Sequence, residues 1–234
     1  MFNDEAYYLN GRLTMMSENL LMGGFLVALV LGLFLNLKVA FWVILGIPVS
    51  FAGAFWLMPL GDVTVNVLSL FAFIMVLGIV VDDAIVIGES VYSEVKADYK
   101  QWALSGQDVG VYSASVDTVV RGVQRVATPS TIGVLTTMAA FAPIIFIGGS
   151  FAGITKAIGI VVVLCLAFSL IESKLILPSH LVGLKFGEKP SGRLGFITRY
   201  QRAVSSGLEY FVENIYQPVL KKALLNRYLT LASF

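Results

Sequence analysis

Five apolar stretches, near residues 19–37, 39–60, 63–91, 126–147 and 151–177, decide what this chain can fold into. Crossing ~30 Å of hydrocarbon as a helix takes about 20 residues, and each stretch is about that long or longer. The expected fold is all-α: a polytopic membrane bundle of five spanning helices, with an amphipathic helix on the cytoplasmic side. Most hinges are short, at Asn36, Leu37 and Lys38, at Gly61 and Asp62, and at Gly148, Gly149 and Ser150. Such turns make consecutive helices antiparallel neighbours. The exception is the polar segment 92–125, with Lys96, Lys100, Arg121 and Arg125, in which 109–124 is expected to be a short surface helix.

Composition agrees with a membrane setting. Charged residues make up 13% of the chain and hydrophobic ones 57%, whereas a soluble domain carries about 25% charge. The net charge of +1 gives no ground for a nucleic-acid partner, and membrane lipid is the expected surround. Cys165 is the single cysteine, inside an apolar run, so it reads as a small core residue rather than a disulfide or metal ligand. The first thirteen residues (MFNDEAYYLNGRL) carry Asp4 and Glu5 without a basic region leading into an apolar core, which is not a signal peptide.

Cations alternate along the loops. Arg12 precedes the first span and Lys38 follows it, four cations lie between spans three and four, and none lies between two and three or between four and five. After the fifth span come Lys185, Lys189, Arg193, Arg199, Arg202, Lys221, Lys222 and Arg227. The positive-inside rule then puts the amino terminus outside and the tail inside. In the tail, 183–195 reads as a flexible basic linker, and Tyr200, Val204, Leu208, Phe211, Val212, Ile215, Tyr216 and Val219 recur at helical spacing, as an amphipathic surface helix does. Pro218 is expected to kink or end it. The segment 228–234 (YLTLASF) reads as the start of a further span. The organisation expected is an external stub at 1–16, the bundle at 17–181, linker and amphipathic helix at 182–227, and a truncated span from 228.

The chemistry concentrates in 78–91 (GIVVDDAIVIGESV), where Asp82 and Asp83 stand deep inside an apolar run. An Asp at the centre of a bilayer costs about 2.5–3.5 kcal/mol on insertion scales, so intramembrane acids mark ion or proton pathways by default. Two adjacent carboxylates in a low-dielectric setting do not easily both ionise, which is what a proton carrier needs. On a helix they point about 100° apart, so both face a bundle interior only if neighbours wrap the helix. Gly78, four residues before Asp82, would let another helix or water approach. The competing reading is a structural polar knot.

Other polar residues carry weaker signals. Lys156 is expected to snorkel to the outer interface. Glu172 and Lys174 read as interfacial, with Glu172 alternatively lining a proton exit, and His180 as a surface or capping residue. Pro48, Pro129 and Pro143 are expected as kinks. No phosphate cradle, Ser-His-Asp set or metal-ligand cluster is visible, so neither hydrolysis, a metal nor an organic cofactor is expected.

The stretch 78–91 resembles the fourth-helix signature of resistance-nodulation-division (RND) permeases, Gly-x-x-Val-Asp-Asp-Ala-Ile-Val followed by Glu-Asn-Val. The similarity extends through Leu33, Phe34 and Leu35, through Ile47, Pro48, Val49 and Ser50, through Asn66, Val67, Leu68, Ser69 and Leu70, and through Phe146, Ile147, Gly148, Gly149 and Ser150. It covers about 17–181. The resemblance implies that the five spans correspond to the family's second to sixth helices, that Asp82 and Asp83 relay protons for antiport, and that the type is a hydrophobe and amphiphile exporter. It implies a homotrimer in a bacterial inner membrane, working with the rest of the permease chain, a periplasmic adaptor and an outer-membrane channel. Ser90 departs from the family's Asn. Set against the family, the sequence is expected to lack the periplasmic domain, the first helix and the second half, where the family keeps its cationic partner, so the acids are expected to lack a counter-charge in this chain. The alternatives are a sterol-sensing-like lipid-binding module and a non-transporting scaffold subunit.

Overall fold

A computed structural model describes residues 5–34, 36–105, 111–149, 152–186, 206–207 and 210–232. Its helices are α1 (Glu5–Phe34), α2 (Leu37–Leu57), α3 (Val67–Leu104), α4 (Val116–Phe141), α5 (Ala152–Ile171), α6 (Leu177–Leu181), α7 (Gln217–Leu225) and α8 (Arg227–Ala232). Four helical stretches are long and apolar enough to cross a membrane: Leu37–Gly61, Val67–Leu104, Val116–Phe146 and Ala152–Leu181. The remaining expected crossing, 19–37, corresponds to the shorter apolar stretch Ser17–Leu33 of α1. The helix itself begins at Glu5, so the described part of the expected stub is already helical.

Helix starts are set by short polar side chains that accept orphan backbone amides. At α3 the Asn66 side-chain oxygen accepts from the N–H groups of Leu68 (2.9 Å) and Ser69 (3.0 Å), and the Asn66 N–H donates back to Ser69 Oγ at 2.8 Å. This reciprocal box fixes where the central helix begins. Asn36 accepts from the Lys38 N–H at α2, and Ser115 from the Thr118 N–H at α4. Prolines set the stops at the opposite ends. Pro59 and Pro143 lie in the 3-10 turns Met58–Gly61 and Ala142–Phe146, where α2 and α4 finish. Asp62, in the left-handed region at φ 56°, reverses the chain into α3. Lys156 Nζ lies 3.7 Å from Asp62 Oδ2 at this exposed end, where its ammonium can reach water.

α3 is the hub, packing against α1, α2, α4 and α5. At 38 residues it is about 57 Å long, well beyond the ~30 Å hydrocarbon thickness. Its polar extension is clamped to the first turns of α4. Arg121 bridges Glu94 (3.2 Å) and Asp98 (2.5 Å), and Thr118 Oγ1 donates to Asp98 at 2.6 Å. The expected surface helix at 109–124 is therefore corrected: from Val116 onward those residues are the start of α4, continuous with its apolar part. A two-residue antiparallel clasp pairs Tyr112 with Phe186 and Ser113 with Lys185, bringing the chain after α6 back to the start of α4. Tyr92, Tyr99, Trp102, Tyr112 and Phe186 pack their rings around it.

Close approach of α3 and α4 depends on Gly122. A Cβ there would sit 2.7 Å from Val91 Cα, and the Ser90 hydroxyl donates to the Gly122 carbonyl at 2.7 Å. The Ser90 that departs from the family pattern is thus a helix-to-helix bond.

Beyond residue 186 the described residues are 206–207 and the largely helical 210–232, with a π turn at Val212–Tyr216 just before Pro218. Pro218 opens α7 rather than ending the helix, the wider turn absorbing the position whose N–H proline lacks. Phe211, Ile215, Tyr216 and Val219 are exposed. The other expected face residues Tyr200, Val204 and Leu208, together with 187–195 of the linker, lie outside the described residues.

Candidate functional site

Asp82 and Asp83 part company on α3. Adjacent residues lie about 100° apart on a helix, and the buried face of α3 runs through Phe73, Val76, Val80, Asp83, Ile87 and Val91. Asp83 is on it, 6% exposed. Asp82 lies on the opposite stripe with Phe71, Met75, Gly78, Val86 and Glu89, all exposed. Among the described residues Gly78 meets nothing within 4 Å of its would-be Cβ. Farther along the same stripe, Glu89 lines a groove of about 400 Å³ between α3 and α4 with Ser90, Ser93 and Arg125.

Both oxygens of Asp83 are engaged. Ser130 of α4 donates to Oδ1 and Ser173, following α5, donates to Oδ2. Lys174 Nζ donates to Ser130 Oγ at 2.9 Å and stands 3.8 Å from Asp83 Oδ1, with the two side chains 18% and 3% exposed. A carboxylate taken from water is tolerated when paired and hydrogen-bonded, and this one has a cation and two hydroxyls. Among the described residues the counter-charge expected to be missing is therefore supplied by this chain for Asp83, though not for Asp82. Lys174 is not interfacial; it reaches into the bundle.

The backbone explains how three consecutive polar side chains come to be gathered there. Between α5 and α6 the helix widens to a π turn, Glu172–Ile176, in which the Leu177 N–H bonds back to the Glu172 carbonyl. Pro178 follows directly and has no N–H to continue a regular ladder. Ala157, Val161, Cys165, Ser169, Ser173, Leu177 and Leu181, every fourth residue, are all buried. Each step of four overshoots a regular turn by about 40°, and the extra residue of the π turn takes up part of that drift. Glu172 thereby reaches α2, Ser173 reaches α3, and Lys174 reaches between α3 and α4.

Glu172 is 3% exposed, which corrects its interfacial placement. A Cβ on Gly46 of α2 would collide with its carboxyl group, so only glycine leaves room for it there. The carboxyl also lies within electrostatic range of Asp83. His180 is exposed and its ring stacks on Trp42, centroids 3.8 Å apart. Among the described residues no three His, Cys, Asp or Glu side chains gather as a metal site would require.

Ser130, Ser173 and Lys174 were not legible as partners of Asp83. Their signals were present: three successive polar residues, Glu172, Ser173 and Lys174, interrupt an apolar run shortly before Pro178, and Ser130 follows Pro129 inside a spanning helix.

The family model described as the AcrB/AcrD/AcrF family matches residues 1–234. The toluene efflux pump membrane transporter TtgE of Pseudomonas putida is 30% identical over 164 residues, covering 66% of this chain and 14% of that protein. The multidrug export protein AcrF of Escherichia coli is 28% identical over 156 residues, with shares of 66% and 14%. The swarming motility protein SwrC of Bacillus subtilis is 25% identical over 227 residues, 93% of this chain and 19% of that protein. The chain spans less than a fifth of the length of each of these relatives.

Proposed function

The chain belongs to the AcrB/AcrD/AcrF family of RND efflux permeases, and from that membership we propose that its bundle is the proton-handling part of a proton-driven export permease. It is a multi-pass membrane protein of a transporter family, not of an enzyme family. In the proposed mechanism Asp82 and Asp83 form the relay. The observation that carries this reading is Asp83, buried within a helix long and apolar enough to cross a membrane, held by Ser130 and Ser173 and facing the Lys174 ammonium.

Protonation of Asp83 cancels the charge that holds Lys174, so the ammonium is released to a second partner and α3 is free to shift against α4 and α5. Asp82, on the open stripe of α3, takes its partner from the remainder of the permease, because an acid facing lipid at this depth is costly. Each proton moving down the membrane potential contributes about 2.3 kcal/mol per 100 mV. In the cell the permease then sits in the bacterial inner membrane, amino terminus outside, as a homotrimer joined to a periplasmic adaptor and an outer-membrane channel, with no cofactor beyond the proton.

Proteoliposomes holding the intact permease and a fluorescent amphiphile test the reading. An imposed pH gradient should drive dye movement, and a protonophore should stop it. Dye movement at the same rate with the gradient collapsed would overturn proton coupling.

A further inference from the structure

The relay described above leaves one buried acid unused. Glu172 is 3% exposed, one residue from Ser173 and two from Lys174, and its carboxyl lies within electrostatic range of Asp83. The described ionisable groups facing it are few. α3 contributes Asp83, the π turn itself contributes Lys174, α2 contributes no ionisable group where its Gly46 lies against the carboxyl, and His180 of α6 is turned out onto Trp42. Asp82 and Glu89 lie on the exposed side of α3.

Charge counting then constrains the group. Two carboxyls share one ammonium in a setting where an uncompensated ion is expensive, so the set is electrically neutral when it holds one proton. Asp83 has the hydroxyls and the nearer cation, which suits the ionised partner. A second observation concerns α2. Ser50, one turn beyond Gly46 on the same helix face, is 0% exposed, and its Oγ has no hydrogen-bond partner among the described residues. A buried hydroxyl without a partner costs about 1–3 kcal/mol, so a polar group reaching this face of α2 would be favoured.

We propose that Glu172 is the second proton-holding carboxyl of this site: one proton resides on Glu172 or on Asp83, and the Lys174 ammonium pairs with whichever is ionised. The inference rests on the proton-driven reading given above and adds a residue to it. In the transfer, the O–H bond of the Glu172 carboxyl breaks and one forms on an Asp83 carboxylate oxygen. The Ser173 hydroxyl, already donating to Asp83, passes its own proton on and receives that of Glu172, with no net change. Lys174 swings from Asp83 to Glu172, a move its four-carbon stem allows. The sensing element is thus a pair across α3 and the α5–α6 junction, both members within this chain.

The test uses the intact permease in proteoliposomes, with dye export followed as a function of pH. Glu172→Gln keeps the shape and removes the proton; export is expected to fall on the order of a hundredfold, the low end for a positioned proton-transfer group, with dye affinity unchanged. Glu172→Asp should restore export with a displaced pH profile, which a purely structural role would not give. If Glu172→Gln fails to assemble, the Glu172→Asp profile decides alone, and superposition on the wild-type curve overturns the proposal. Wild-type export from Glu172→Gln while Asp83→Asn is inactive overturns the role of Glu172 and leaves the relay standing. Export by both variants removes the relay itself.

Discussion

Asp83→Asn in the intact permease is expected to abolish gradient-driven export, a loss of at least about a hundredfold, while the protein still folds and assembles. The amide keeps the size of the carboxyl and can still bond to Ser130 and Ser173, which surround both oxygens. What it cannot do is gain and lose a proton. By the exchange proposed above Lys174 then pairs with Glu172, so removing the Asp83 charge does not leave a buried ammonium alone. Dye accumulation in cells, measured beside the level of folded permease, separates lost coupling from lost protein. Asp82→Asn is expected to abolish export too, through the partner that meets the open stripe of α3.

Lys174→Met should have the largest effect on stability. Breaking a buried ion pair by removing one member costs about 3–5 kcal/mol, because the other charge is left uncompensated. Here a methionine would leave Asp83, 3% exposed at its side chain, without its cation, in a place where Lys174 is only 18% exposed. Lys174→Arg should retain most of the stability, and adding Asp83→Asn to Lys174→Met should recover part of what was lost. Thermal unfolding of the detergent-solubilised permease reads all three. An unfolding temperature for Lys174→Met equal to wild type would show that Lys174 does not compensate buried charge.

The helices were legible because apolar length is a strong constraint at ~30 Å of hydrocarbon. The paired acids were legible because charge at that depth is rare. Which acid faces inward was not, since a rotation of about 100° between neighbours is resolved only when the covering helices are known, and the buried row through Val80, Ile87 and Val91 selects Asp83. The reach of α3 to Leu104 and the start of α4 at Val116 were hidden by polar composition: residues such as Glu94, Lys96, Asp98 and Lys100 read as loop, yet they continue a helix and tie it to Arg121. Lys174 was misplaced for a related reason. Its apolar run ends near residue 177, which puts it at an interface by counting, whereas the π turn carries the buried face on to Leu181 and turns Lys174 inward.

The most direct measurement is infrared difference spectroscopy of the intact permease between acidic and alkaline buffer, with Asp83→Asn as the reference that identifies the carboxyl band. Asp83 is expected to gain and lose its proton across the pH interval over which export runs, the band vanishing in Asp83→Asn. An Asp83 carboxyl that keeps one protonation state throughout that interval would contradict proton handling at this site.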